Sequence, residues 1–129
     1  MNNNVKMLLN KAELWYVATL GEEANVVPVG FKAVTDDGHL IIGDMLMETT
    51  IRNIQTNSQI AIAATDTQTS EGYQVKGTAE YLTEGDIFEM YSMVADEIFK
   101  GAASLKGIVY VTPKKVIVTT ASADNKKEL

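Results

Sequence analysis

Cysteine is absent from this 129-residue chain, and that gap removes several chemistries together. No disulfide, thiolate nucleophile, thiol redox couple or cysteine metal ligand can be built. The composition is compatible with a reducing, cytoplasmic setting. Histidine is almost missing as well: His39 stands alone, in the turn Asp36-Asp37-Gly38-His39. One imidazole beside hairpin-tip carboxylates makes a poor metal site, and a solvated turn explains the group. Positive charge is scarce. The 11 Lys and Arg against 17 Asp and Glu leave a net charge of −6. No basic stripe appears, so nucleic acid is not an expected partner. No apolar run approaches the roughly 20 residues of a membrane-spanning helix, so no membrane partner is expected. The opening Met-Asn-Asn-Asn is not followed by the apolar core of a signal peptide. These absences predict a soluble cytoplasmic protein. The catalytic vocabulary is equally thin. There is no Gly-x-Ser-x-Gly, no histidine near a serine and no isolated carboxylate pair, so no triad is assigned. Chemistry, if present, would come from a bound cofactor.

What is there reads as an ordinary globular domain spanning 1–129, with 46% hydrophobic and 22% charged residues. Val5, Leu8, Leu9 and Ala12 recur at helical spacing and predict a short helix over 3–12. Residues 13–20 read as a strand rich in aromatic and β-branched side chains, and 26–35 as a second strand. Asp37-Gly38 suits a hairpin turn, and 39–43 return as the third strand. A short helix covers about 49–56, with Ile51 and Ile54 inward. Residues 58–66 read as a strand. Over 71–82, Tyr73, Val75, Gly77, Ala79 and Tyr81 alternate with Gln74, Lys76, Thr78 and Glu80, the mark of a half-buried antiparallel strand. A second, longer helix follows, with Thr83 and Asp86 spaced as a capping box and Ile87, Tyr91, Val94 and Ile98 as its apolar face. Gly101 suits its C-cap. A closing hairpin is expected, 105–111 and 116–121 around a turn at Thr112-Pro113-Lys114-Lys115. The tail 122–129 is polar and expected to fray. Six or seven short strands with few helices predict a small, mainly β, antiparallel barrel that hides its sheet edges.

Two segments are candidate binding sites. Thr49 and Thr50 open the short helix, where free N–H groups and hydroxyls can hold an anion, although capping alone also explains a threonine there. Arg52 in the first turn opposes the helix dipole unless an anion is present. Pro28 and Gly30 interrupt the second strand, as a bulge does or as a strand approached closely by a flat ligand does. Lys32 lies on the same alternating face.

In order, these segments resemble the pyridoxamine 5′-phosphate oxidase-like FMN-binding split barrels. The matching residues are Val27-Pro28-Val29-Gly30-Phe31, Asp37 to Gly43, Thr49 to Ile54, Asn57 to Ile62, Gly72 to Glu80 and Gly107 to Pro113. The resemblance covers residues 5–121 and is to the short flavin-binding members. It implies a six- to seven-stranded antiparallel split β-barrel and a homodimer with non-covalent FMN at the subunit interface. It also implies an oxidoreductase or electron-transfer role with a small-molecule or electron-transfer partner. By this likeness Val29, Gly30, Phe31 and Lys32 line the ring and ribityl chain, and Asp44 and Met45 flank the flavin. Thr49 and Thr50 fall on the phosphate positions, Asn53 on a frequent asparagine, and Gln74 on a polar position near the cofactor. The basic pair that relatives carry at Thr49 and Thr50 is missing, and Arg52 or Lys32 would compensate. The substrate-binding C-terminal segment of the true oxidases has no counterpart, so vitamin B6 oxidation is not expected. A deazaflavin remains an alternative, as does a non-catalytic barrel that binds another ligand or a protein. The lone turn histidine argues against histidine-ligated haem.

Overall fold

Alternation of apolar and polar residues sets the architecture, because each strand must turn one face to a shared interior. The computed structural model describes residues 1–129. Its elements are α1 (Asn3–Lys11), β1 (Trp15–Thr19), β2 (Asn25–Val29), β3 (Lys32–Val34), β4 (Leu40–Asp44), α2 (Thr49–Thr56), β5 (Gln59–Thr65), β6 (Gly72–Leu82), α3 (Asp86–Phe99) and β7 (Gly107–Val118). All seven strands form one antiparallel sheet in the order β2-β1-β5-β6-β7-β4-β3. Its two edge strands, β2 and β3, are separated in the chain only by Gly30 and Phe31. The sheet therefore curls until its edges come together, yet no ladder joins them. The barrel is split along that seam.

The interior is a cluster of 21 buried residues, among them Trp15, Val17, Leu40, Ile42, Ile62, Val75, Val109 and Val111. Helix α1 adds Val5, Leu8 and Leu9 to it, and α2 adds Ile51 and Ile54. Trp15 is fully buried, and its indole N–H donates to the Leu9 carbonyl at 2.9 Å, so the polar end of the ring is satisfied. Asn2 caps α1: its side chain accepts from the Val5 N–H at 3.0 Å, a contact typically worth about 1 kcal/mol. A smaller cluster, Ile41, Ala95, Leu105 and Ile108, lies between the sheet and α3.

Several expectations change. The predicted strand 26–35 is two strands, because the chain leaves one edge of the sheet at Gly30 and joins the other at Lys32. The predicted closing hairpin is one continuous 12-residue strand. Thr-Pro-Lys-Lys is a bulge there, not a turn: Lys76 pairs with Lys115 but Gly77 pairs with Pro113, leaving Lys114 as the extra residue. A Cβ on Gly77 would lie 2.2 Å from the Thr112 carbonyl oxygen, so the bulge needs glycine opposite it. Helix α3 begins at Asp86 after Gly85, whose φ of 98° suits glycine, and no capping box forms. Its left-handed C-cap is Lys100, one residue before Gly101. Only part of the expected α3 face packs. Ile87 and Tyr91 lie on the smaller cluster with Phe88, Ala95 and Phe99, while Val94 and Ile98 point outward with Met90 and Met93. The tail lies back against β7: Glu128 bridges Ile117, and the Leu129 N–H donates to the Val116 carbonyl at 2.8 Å.

Candidate functional site

The seam of the barrel opens into a cleft of about 620 Å³. Consecutive residues Val27, Pro28, Val29 and Gly30 all line it. Neighbouring strand residues point to opposite faces, so lining by four in a row means that the cleft meets β2 at its edge. Proline is tolerated on such an edge because it owes no hydrogen bond to a further strand. Phe31, Met45, Met47 and Phe99 supply apolar wall. Phe31 and Phe99 meet at 6.0 Å between centroids with a 44° tilt, so α3 contributes to the cleft through its last residue. Gly43 lies beneath Phe31, where a Cβ would sit 2.3 Å from the ring.

The far end of the cleft is the start of α2. The first bond of that helix runs from the Arg52 N–H to the Glu48 carbonyl, 3.0 Å. The N–H groups of Thr49, Thr50 and Ile51 precede it and have no intrahelical acceptor. The N-cap is Glu48, not a threonine, and its side chain caps nothing. Thr50 is buried, and its Oγ1 accepts from the Asn25 amide at 3.1 Å. Thr49 is exposed, and its Oγ1 accepts from Arg52 Nη2 at 3.3 Å.

The loop between β4 and α2 is held from behind. Asp44, 1% exposed, accepts from the Met47 N–H at 2.9 Å and from the Tyr81 hydroxyl. Burial, then the adjacent carboxylate, hold the Tyr81 phenol well above its ordinary pKa. Lys106 closes the same loop by donating from its N–H to the Asp44 carbonyl (2.8 Å) and from its ammonium to the Met47 carbonyl (3.3 Å).

Of the residues singled out in the sequence, Val29, Gly30, Phe31, Met45, Thr49 and Thr50 meet in the cleft. The others lie elsewhere. Asp44 stands behind the wall as its anchor. Arg52 and Asn53 line a neighbouring groove. The Asn53 amide is committed to Thr19 Oγ1 at 3.0 Å. Lys32 turns toward α1, donating to the Leu9 carbonyl at 3.4 Å with its ammonium 5.1 Å from the Trp15 ring centroid. Burial lowers its pKa there. Gln74 sits on β6 between Ala63 and Ile117 and lines neither cavity. Sequence reading missed Asn25, Leu46 and Phe99 on the cleft, and Tyr81 and Lys106 behind it. Leu46 lies in the loop between Met45 and Met47, whereas the others are brought to the site by strand pairing or helix docking.

The cleft is thus a slot with an unladdered strand edge on one side, apolar rings and thioethers around it, and free N–H donors at one end. No cation lines it, and Glu48 is its only charged residue. Such a slot suits a flat, largely apolar ring carrying an anionic group. No helix is long and apolar enough to cross a membrane.

An uncharacterized protein of Methanocaldococcus jannaschii is 31% identical over 100 residues, 74% of this chain; the match spans 62% of the length of that relative. HupZ of Group A Streptococcus is 26% identical with a TM-score of 0.83, over 96% of this chain and 98% of that one. An FMN-binding protein from Syntrophomonas wolfei shares the fold at 16% identity, with a TM-score of 0.78 over 92% of this chain and 85% of that one. The family model described as pyridoxamine 5′-phosphate oxidase matches residues 1–126. With that match across nearly its whole length, the chain belongs to the pyridoxamine 5′-phosphate oxidase family.

Proposed function

We propose that the cleft binds FMN non-covalently and that the protein is an oxidoreductase or electron-transfer protein working through it. The observation that carries this reading is the cleft itself: the open edge of β2, apolar walls and the unpaired N–H groups of α2 meet in one volume of about 620 Å³. A bound flavin would supply redox chemistry that this cysteine-free chain lacks. The first-turn N–H groups of α2 and the Thr49 hydroxyl would hold the phosphate. Backbone groups from Val29 to Phe31 would orient the ring edge, and Phe31, Met45, Met47 and Phe99 would keep water from it. Several apolar side chains are exposed, among them Tyr16 and Val26 near the β2 edge and Met93 and Ile98 on α3. These support a homodimer whose second copy covers part of that surface. The cysteine-free composition supports a cytoplasmic home.

Titration of the apo-protein with FMN, followed by flavin fluorescence, tests the reading. Saturable quenching at micromolar or lower FMN is expected, with riboflavin weaker by about tenfold because it offers α2 no phosphate. FMN fluorescence unchanged at high protein concentration would overturn it. Sedimentation of the same sample tests the dimer.

A further inference from the structure

We propose that the site accepts a flavin extended beyond its first phosphate, the dinucleotide FAD, with the adenylate half laid in a second groove beside α2. This rests on the flavin reading above and specifies its ligand. The second groove, about 710 Å³, runs between the Gly21–Asn25 segment and α2. It meets the cleft at Asn25 and Thr49, which line both. A ligand whose phosphate reaches the start of α2 therefore stands at the mouth of the groove and has somewhere to continue.

The two cavities differ in chemistry. The cleft is walled by rings, aliphatic groups and thioethers, whereas in the groove only Leu20 and Ala24 are hydrophobic. Arg52 is the only cation lining either, and it sits in the groove, bonded to Thr49 at the junction. The two phosphates of a dinucleotide carry one charge each and lie one after the other. N–H donors at the end of the cleft followed by one guanidinium in the groove match that run of two charges. Glu22 and Glu23, also on the groove, offer acceptors to ribose hydroxyls, as carboxylates do at other dinucleotide sites.

The experiment is a comparison of dissociation constants for FMN and FAD on the full chain, wild type and Thr56→Trp. Thr56 is exposed at the end of α2 and lines the groove but not the cleft, so a bulky ring there narrows only the groove. FAD is expected to bind about tenfold more tightly than FMN, since its second half adds contacts at no further cost of encounter. Thr56→Trp should remove most of that advantage and leave FMN unchanged. Glu23→Trp, in the exposed turn across the groove, is the second variant should the first not fold, and the same outcome is expected. FAD binding no tighter than FMN, or equal losses for both flavins in the variant, would overturn the proposal while leaving the FMN site standing. Failure of both flavins to bind wild-type protein would overturn the flavin reading and this proposal together.

Discussion

Tyr81→Phe isolates the contact that fixes the cleft wall. Asp44 is buried, and two donors face its carboxylate: the Met47 N–H at 2.9 Å and the Tyr81 hydroxyl. No salt bridge compensates it. Removing one hydroxyl leaves the ring and its packing in place but takes a donor from a buried charge. Hydrogen bonds to charged groups contribute about 1.5–3 kcal/mol. In a chain of this length each kcal/mol corresponds to roughly 4 °C of melting temperature, so Tm should fall by about 6–12 °C. Asp44→Ala removes the acceptor altogether, so the double variant separates the pair's own coupling from the two single losses. A coupling of about 1.5 kcal/mol or more is expected from chemical denaturation of the four proteins. Because Asp44 anchors the Met45–Met47 wall, FMN affinity should also fall, by about three- to tenfold. A coupling below about 0.5 kcal/mol with unchanged FMN affinity would refute both the strength of the contact and its role in the wall.

Gly43→Ala should push Phe31 out of its place, since the new methyl would lie 2.3 Å from the ring. Expected are a stability loss of about 1–3 kcal/mol by urea titration and a clear drop in FMN quenching. Stability at alkaline pH should depend on Tyr73, whose hydrogen bond to Glu71, with burial, pushes its pKa up from 10.0 to about 12. The unfolded chain loses that proton first, so stability falls as pH rises from about 10 to about 12 and is unaffected below that window. Melting curves across the window should show this decline in the wild type and a shallower one in Tyr73→Phe.

How far the sequence discloses the molecule depends on whether a feature is local. The alternation along β6 shows directly, because the period of two is written into Tyr73 to Tyr81. Helix α2 and its inward Ile51 and Ile54 are equally plain. Thr-Pro-Lys-Lys reads as a turn because nothing near it reveals Gly77, thirty-odd residues earlier, which makes the bulge possible. Helix α3 carries a wide apolar arc that includes Val94 and Ile98 as well as Phe88 and Phe99, so its buried part cannot be chosen until Phe31 and Leu105 are in position. The same limit applies at the site. Gly30, Phe31, Thr49 and Thr50 announce themselves through broken strand pattern and helix start. Lys32 and Gln74 share the strand pattern of their neighbours, and only tertiary placement sends Lys32 to Trp15 and Gln74 to the middle of the sheet. Asp44 shows the opposite case: its position beside the site is visible, but its burial against Tyr81 is not.

Amide chemical shifts of isotope-labelled apo-protein, followed as FMN is added, bear most directly on the seam as the flavin site. The amides of Val29, Gly30 and Phe31 and those of Thr49, Thr50 and Ile51 should move together along one saturation curve, with Gln74 and its neighbours on β6 still. Shifts centred on another face of the barrel, with the β2 edge and the start of α2 unmoved, would contradict the assignment.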